Sequence, residues 1–337
     1  MKNILVTGGL GYIGSHVVVE LIARGYDVLI ADDLSNSQRT VLDRLNGLTG
    51  KKLHFIEGDL SDKTFTEALF TYQHIDAIIH FAAKKAVGES VEKPLLYYRV
   101  NLGSMMNLLE GMSGHGVHHM VFSSSCTIYG QPVQLPVTEK TPMQAPASPY
   151  GHTKQVCEYM LADTIKANKN IRGTSLRYFN PVGAHASSKI GELPLGVPNN
   201  LVPFITQTGI GLRDELKVFG GDYLTPDGTA IRDYIHVVDL AKAHVCALER
   251  QFGQSEPYEV FNVGAGKGYS VLEVIKSFER VSGQKLNYRI VDRRPGDIEQ
   301  IWADTKLANK ALNWKAEKKL DEMMLDAWLW QKALAET

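Results

Sequence analysis

The chain has 337 residues, 44% of them hydrophobic and 22% charged, with a formal net charge of −1. That length predicts one large or two closely packed domains, and the charge balance excludes the basic footprint of a nucleic-acid or anionic-membrane binder. Its three cysteines (Cys126, Cys157, Cys246) are widely spaced and odd in number, without a C-x-x-C pair, which argues for reduced thiols, a cytoplasmic location and no structural zinc.

Residues 2–7 form a short apolar, β-branched run that reads as a buried parallel strand. Starting so early, it leaves no room for a signal peptide, and no apolar run is long enough to span a bilayer. Gly8-Gly9-Leu10-Gly11-Tyr12-Ile13-Gly14 follows at once, then helical periodicity over 15–24 with Gly25 as a stop. These glycines satisfy G-x-G-x-x-G from Gly9 and G-x-x-G-x-x-G from Gly8. They permit a tight turn, close approach of backbone N–H groups to a pyrophosphate, and close helix–strand packing. A second strand, 27–31, ends at Asp32 and Asp33, where a carboxylate can accept hydrogen bonds from ribose hydroxyls.

The alternation continues with a strand at 53–57 leading to Gly58-Asp59-Leu60, a helix at 61–72, a strand at 75–83, a long helix at 94–112 and a strand at 117–125. Such βαβ repetition predicts an α/β fold, a Rossmann-type doubly wound parallel sheet. Ligands then lie beyond the carboxyl ends of the strands, where Asp32, Asp59, Phe81 to Ala83 (with Ala82 between) and Ser123 to Ser125 fall. His115, His118 and His119 lie in a helix-to-strand connection without partner carboxylates and read as solvated loop, not metal ligands. Cys126 reads as a packing residue.

Tyr150 and Lys154 stand four residues apart, and on a helix that spacing stacks a phenol and an ammonium on one face. A free phenol, with a pKa of about 10, is a poor base at neutral pH. A fixed positive charge nearby lowers that value, as a proton-abstracting tyrosine requires. From about Asn180 glycine and proline become frequent and short elements are expected, with 171–177 and 259–263 returning to the sheet. This predicts a smaller mixed α/β substrate-binding region sharing a cleft with the first. Trp314, Trp328 and Trp330 are expected to pack a carboxyl-terminal helix.

Together these residues resemble the extended short-chain dehydrogenase/reductase superfamily, and within it the UDP-glucose 4-epimerase (UDP-galactose 4-epimerase) family, from residue 2 to about 330. The specific stretches are Val6-Thr7-Gly8-Gly9, Gly11-Tyr12-Ile13-Gly14-Ser15-His16, Lys85-Ala86-Val87-Gly88-Glu89-Ser90 and Leu176-Arg177-Tyr178-Phe179-Asn180-Pro181-Val182-Gly183-Ala184-His185. Pro198-Asn199-Asn200-Leu201, Asp227-Gly228-Thr229 and Arg232-Asp233-Tyr234-Ile235-His236-Val237 complete the set.

The resemblance implies a metal-free isomerase in which tightly held NAD oxidises C4 of a UDP-hexose and returns the hydride to the other face. Tyr150 would be the base, Lys154 would lower its pKa and hold the nicotinamide ribose, and Ser125, with Thr127, would bond the 4-hydroxyl. For NAD the matching positions are Gly8, Gly11, Tyr12, Ile13, Asp32, Asn36, Asp59, Leu60, Phe81, Lys85, Tyr150, Lys154 and Tyr178. Gly14, Asp33, Ala82 and Ser123 join them from the motif and the strand ends, and the paired acids at 32 and 33 favour NAD over NADP. For the UDP-sugar the positions are Ser125, Tyr150, Tyr178, Phe179, Asn180, Asn200, Leu201, Val218, Phe219, Arg232, Arg294 and Asp297. Ile301 stands where less bulk leaves room for an N-acetyl group, so UDP-GlcNAc and UDP-GalNAc are candidate further substrates.

The expected division is an NAD-binding domain, 1–180, and a mainly UDP-sugar-binding domain, 181–337. A homodimer through the tyrosine-bearing helix and the long helix before it is implied too. Ala83, Lys84, Cys126 and Asp33 depart from the family pattern without removing a catalytic group. A nucleotide-sugar 4,6-dehydratase is disfavoured because Cys126-Thr127-Ile128, not an Asp-Glu pair, follows Ser125. A 4-epimerase of a UDP-pentose or UDP-uronic acid, and a silent NAD-binding regulator, are the other readings.

Overall fold

Strands from both halves of the chain build one seven-stranded parallel sheet in the computed structural model, which describes residues 1–253, 256–294 and 296–336. β1 (Asn3–Thr7), β2 (Asp27–Asp32), β3 (His54–Glu57), β4 (Ala77–His80), β5 (His119–Ser125) and β6 (Arg172–Tyr178) are joined by the late strand Tyr258–Val263. Across the sheet the order is Tyr258–Val263, β6, β5, β4, β1, β2, β3, with every pairing parallel. The order reverses between β1 and β4, so the crevice beyond their carboxyl ends is the topological switch point.

Strand alternation divides the core in two. Ile4 and Val6 of β1 face one cluster, with Val17, Val18 and Leu21 of α1 (Tyr12–Ala23) and Leu240, Val245 and Leu248 from the second half. Leu5 faces the other cluster, with Leu69, Leu108 and Met120. α2 (Thr40–Thr49) and α3 (Lys63–Tyr72) follow as expected, α3 capped by Asp62, whose side chain accepts from Thr64 N and Phe65 N.

Several expectations need correction. A short helix the sequence reading omitted, α4 (Val87–Glu92), precedes α5 (Pro94–Tyr97). The expected single helix at 94–112 is α5, a π-helical turn Tyr98–Leu102 and α6 (Gly103–His115). The apolar pattern survives the extra residue because a π turn shifts the face without ending the helix. The second half is also more helical than expected, with Val237–Phe252, Val271–Ser282 and Leu320–Ala335 spanning 16, 12 and 16 residues. The glycine and proline run that suggested short elements is mostly confined to 181–200, and Ser270 with Glu273 forms a capping box that marked one start.

In that half, Ile231–His236 pairs with Gly268–Ser270, Gln300–Ile301 and Asn180–Val182, while Leu216–Phe219 pairs with Tyr288–Val291. Val202, Ile205, Phe278, Met323 and Trp328 form its core. Ile128, Tyr129, Val137, Phe179 and Ile301 fill the junction with the sheet. Trp328 and Trp330 lie on the last helix, but Trp314 donates to the Asp239 carbonyl at 3.0 Å and packs on Val237–Phe252 instead. His115 ends α6 and lies 2.5 Å from Glu67, so it does have a carboxylate partner. Among the described residues no group of side chains could hold a metal ion, and no helix is long and apolar enough to cross a membrane.

Candidate active site

At the end of β1 the chain turns through Gly8 at φ +66°, where a Cβ would come within 2.8 Å of the Ala82 nitrogen. A Cβ on Gly14 would collide with the Gly8 carbonyl oxygen. α1 therefore begins at Tyr12, inside the glycine motif, and not at residue 15, because the helix itself makes the close contact with the turn. Gly11 is its N-cap and offers no side-chain cap, which leaves first-turn N–H groups for an anion.

Every expected cofactor residue except Ser123 lines one cleft at this switch point. Asp32 is buried there, with Oδ2 accepting from Leu10 N at 3.0 Å, and Oδ1 from Leu34 N at 3.0 Å and Ser37 Oγ at 2.8 Å. Burial pushes its carboxyl upward while these bonds pull against the rise. Ser35, Ser37, Gly58, Val100 and Ser104 also line the cleft and were not anticipated. Ser37 could have been found as a hydroxyl five residues beyond a strand-end acid; Val100 and Ser104 sit around the π turn, which no local signal announced.

α7 (Pro149–Ala167) starts at Ser148, whose Oγ accepts from Gly151 N at 3.2 Å, with Pro149 at its first position. Tyr150 and Lys154 are thus on consecutive turns, both buried and both in the cleft wall. Lys154 Nζ donates to the Ser123 carbonyl at 2.7 Å, 4.9 Å from the Phe122 ring centroid and 6.0 Å from that of Tyr150. Burial brings its pKa down to about 8. Burial also pushes the Tyr150 phenol well up, with Tyr178 adding to the rise and a hydrogen bond with Ser125 opposing it. The lowering expected from Lys154 does not appear in the polypeptide alone, where burial dominates the phenol.

Ser125 Oγ accepts from Thr127 N at 3.2 Å and from Thr127 Oγ1 at 3.0 Å, so the two hydroxyls form one unit beside Tyr150. Ser123 does not reach the cleft: its carbonyl anchors Lys154 and its hydroxyl bonds Tyr178 Oη at 2.8 Å. Beneath them Glu158 accepts from Ser124 Oγ at 2.5 Å and pairs with Arg177 at 2.7 Å, both charges buried. Asn101, unforeseen in the sequence, bonds Lys84 N at 2.8 Å, Lys84 O at 3.0 Å and Thr153 Oγ1 at 3.0 Å, tying the segment after β4 to α7. Cys126 has its thiol pushed up to about 12 by burial and packs against the junction cluster, as a packing residue should.

Of the residues expected for a nucleotide sugar, only Tyr150 and Tyr178 line this cleft. Ser125 stands beside Tyr150, and the others lie on elements of the second half and at its junction with the sheet. Phe219 is 39% exposed, with the Arg294 guanidinium 5.5 Å above its ring and Asp297 bonded to that guanidinium at 2.8 Å. Val218 beside it is buried in the core. Arg232 donates to the Ile231 carbonyl at 2.9 Å and stands opposite Ile301 in register; Ile301 is buried against Phe179. Asn180 begins the strand Asn180–Val182, and Asn200 precedes Leu201 at the start of the helix Leu201–Gly209.

The model of the GDP-mannose 4,6 dehydratase family matches residues 5–327. A UDP-glucose 4-epimerase of Erwinia amylovora is 51% identical over 329 residues, covering 98% of this chain and 97% of that protein. One of Bacillus subtilis (strain 168) is 50% identical over 330 residues, with the same coverage. The chain belongs to the UDP-glucose 4-epimerase family. Among solved structures of the family, that from Bifidobacterium longum in complex with NAD+ and UDP superposes with a TM-score of 0.95 at 46% identity, covering 98% of both chains. That from Stenotrophomonas maltophila, with bound NAD and formylated UDP-arabinopyranose, gives 0.97 at 47%, covering 100% and 99%. In this epimerase-family chain, Cys126 and Thr127 occupy a 3-10 turn (Cys126–Tyr129) directly after Ser125.

Proposed function

We propose that this chain interconverts UDP-glucose and UDP-galactose, with NAD as a resident cofactor, through a 4-ketose. The observation that carries the reading is Tyr150, Lys154 and Ser125 gathered beside a dinucleotide cleft in a chain of this family. The cleft fits NAD: the glycine cradle excludes any Cβ at Gly8 and Gly14, and buried Asp32 with adjacent Asp33 suits ribose hydroxyls and disfavours a 2′-phosphate. Bound in its oxidised form, NAD supplies the hydride acceptor for C4 and a positive ring that favours phenolate at Tyr150.

Tyr150 Oη takes the proton of the sugar 4-hydroxyl as the C4–H bond breaks, and gives a proton back to the same oxygen when C4 is reduced on its other face. Ser125 and Thr127 hold that oxygen as a hydroxyl pair. Lys154 stays fixed by the Ser123 carbonyl, which aims its charge at the cleft. Arg232, Arg294, Asp297 and Phe219 grip the uridine diphosphate, Arg by guanidinium forks and Phe by its ring face, so the hexose stays loose enough to turn. Incubation of the purified protein with UDP-galactose tests this: UDP-glucose should form without added NAD and without net NADH. No conversion even with NAD supplied would refute it.

Ile301, smaller than a tyrosine at that position, supports acceptance of N-acetylated UDP-hexosamines by leaving room for the N-acetyl group. Failure to convert UDP-GalNAc where UDP-galactose turns over would remove that extension. A homodimer through α6 and α7 is supported by exposed Met106 and Tyr159 on those helices, with Val91 and Leu95 beside them. Sedimentation as a monomer would count against it. The free thiols Cys126, Cys157 and Cys246 support a cytoplasmic setting, and a role in galactose metabolism follows from the proposed UDP-galactose turnover.

A further inference from the structure

Glu192 stands at the seam between the halves, on a backbone that is fixed. Its carbonyl accepts from Trp330 Nε1 at 2.8 Å, and its neighbour Gly191 bridges to Ala184 and packs so closely on the Trp330 indole that a Cβ would lie 2.5 Å from the ring. From that fixed point the carboxylate reaches both halves. Asn200 Nδ2 donates to Glu192 Oε1 at 2.6 Å, and Lys85 Nζ lies 3.7 Å from the same oxygen. The charge is also felt at Tyr12, whose phenol is pushed up by burial first and by Glu192 second. Tyr12 in turn donates to the Gly183 carbonyl at 2.6 Å, one residue from the bridge that holds Gly191.

The two partners have little else to orient them. The Lys85 side chain is 49% exposed, whereas that of Glu192 is only 11% exposed. A half-exposed lysine samples many rotamers unless a fixed partner restricts it. Asn200 stands at the N-cap of Leu201–Gly209, yet its Oδ1 accepts no capping bond there, and its Nδ2 donates to Glu192. We propose that Glu192 is a positioning residue for the epimerase reaction: a fixed, nearly dry anion that holds the Lys85 ammonium, at the wall of the cofactor cleft, and the Asn200 amide ready for a nucleotide sugar that meets both. This rests on the function proposed above. Donors oriented in advance lower the ordering cost of binding, so the loss of Glu192 weakens substrate binding and leaves chemistry largely alone.

The test compares Glu192→Gln and Glu192→Ala with wild type as NAD-loaded protein, by turnover of UDP-galactose and by calorimetric affinity for UDP-galactose. Gln keeps an acceptor for Asn200 and drops the charge facing Lys85, so KM and Kd should rise about threefold to fivefold with kcat within about twofold. Ala drops both contacts and should raise KM and Kd about tenfold or more. On a Lys85→Met background Glu192→Gln should add no further loss, because its effect runs through that lysine. Wild-type KM and Kd in both variants, a fall in kcat alone, or a full additive loss on Lys85→Met overturns the proposal. If the Ala variant fails to fold, the Gln variant and the Lys85 background decide. A wild-type enzyme that binds UDP-galactose without turning it over would count against the function reading, and the Kd comparison would still judge Glu192.

Discussion

Tyr150 is buried in a place where the polypeptide alone favours phenol, and a base so placed is controlled by the charge around it. Tyr150→Phe removes one oxygen from a side chain that otherwise packs unchanged. It should keep the fold and retain NAD while activity falls about 10²–10⁴-fold, the usual range for a general base. Near-wild-type turnover would mean that another group takes the proton. Lys154 carries a cost that can be read separately. Its folded pKa of about 8 lies below the unfolded value of about 10.4, so the unfolded chain binds more protons across that interval. Stability contributed at this site is therefore lowest below pH 8 and rises as pH climbs through the window. Urea unfolding of wild type against Lys154→Met, without added cofactor, should show wild type gaining on the variant from pH 8 to 10. A constant difference would mean the buried lysine titrates normally.

Between the residues and the fold stand the elements that aim them, and the glycine turn into α1 is the tightest. Gly14→Ala would drive a methyl into the Gly8 carbonyl inside the first turn, where backbone cannot yield cheaply. The variant should lose NAD on gel filtration and melt several degrees lower; full retention of NAD would mean that the helix can shift away. This element was readable in the sequence because its demands are local: glycines at fixed spacing, an apolar strand before and a periodic helix after. Asp32 and the Tyr150/Lys154 pair were readable for the same reason. Asn101, Ser104 and Glu192 were not, since their roles depend on a π turn and on partners 8 to 138 residues away. The long helices of the second half had legible caps, Ser270 with Glu273 among them, but the proline and glycine before them drew the reading toward short elements.

At the scale of the whole molecule, the sheet does not end where the glycine-rich second half begins. The strand Tyr258–Val263 pairs with β6 along six positions, and the helix Val237–Phe252 supplies Leu240, Val245 and Leu248 to the same core as Val17, Val18 and Leu21. Buried Gln251 on that helix donates to the Met120 carbonyl and to Thr174 Oγ1, both at 2.8 Å, so it satisfies polar groups of β5 and β6 as well. A fragment of residues 1–180 would thus expose the long edge of β6 and an apolar face of α1, both hazards for association. It would also leave Arg177 and Glu158 near a solvent edge without Tyr129's partner Asn262. The fragment is expected to associate and to unfold without a sharp transition, by circular dichroism and light scattering. The two halves of the full chain should unfold in one transition. A monomeric 1–180 fragment with cooperative melting would show instead that the sheet closes without the returning strand, and that the boundary near 180 is a true domain edge.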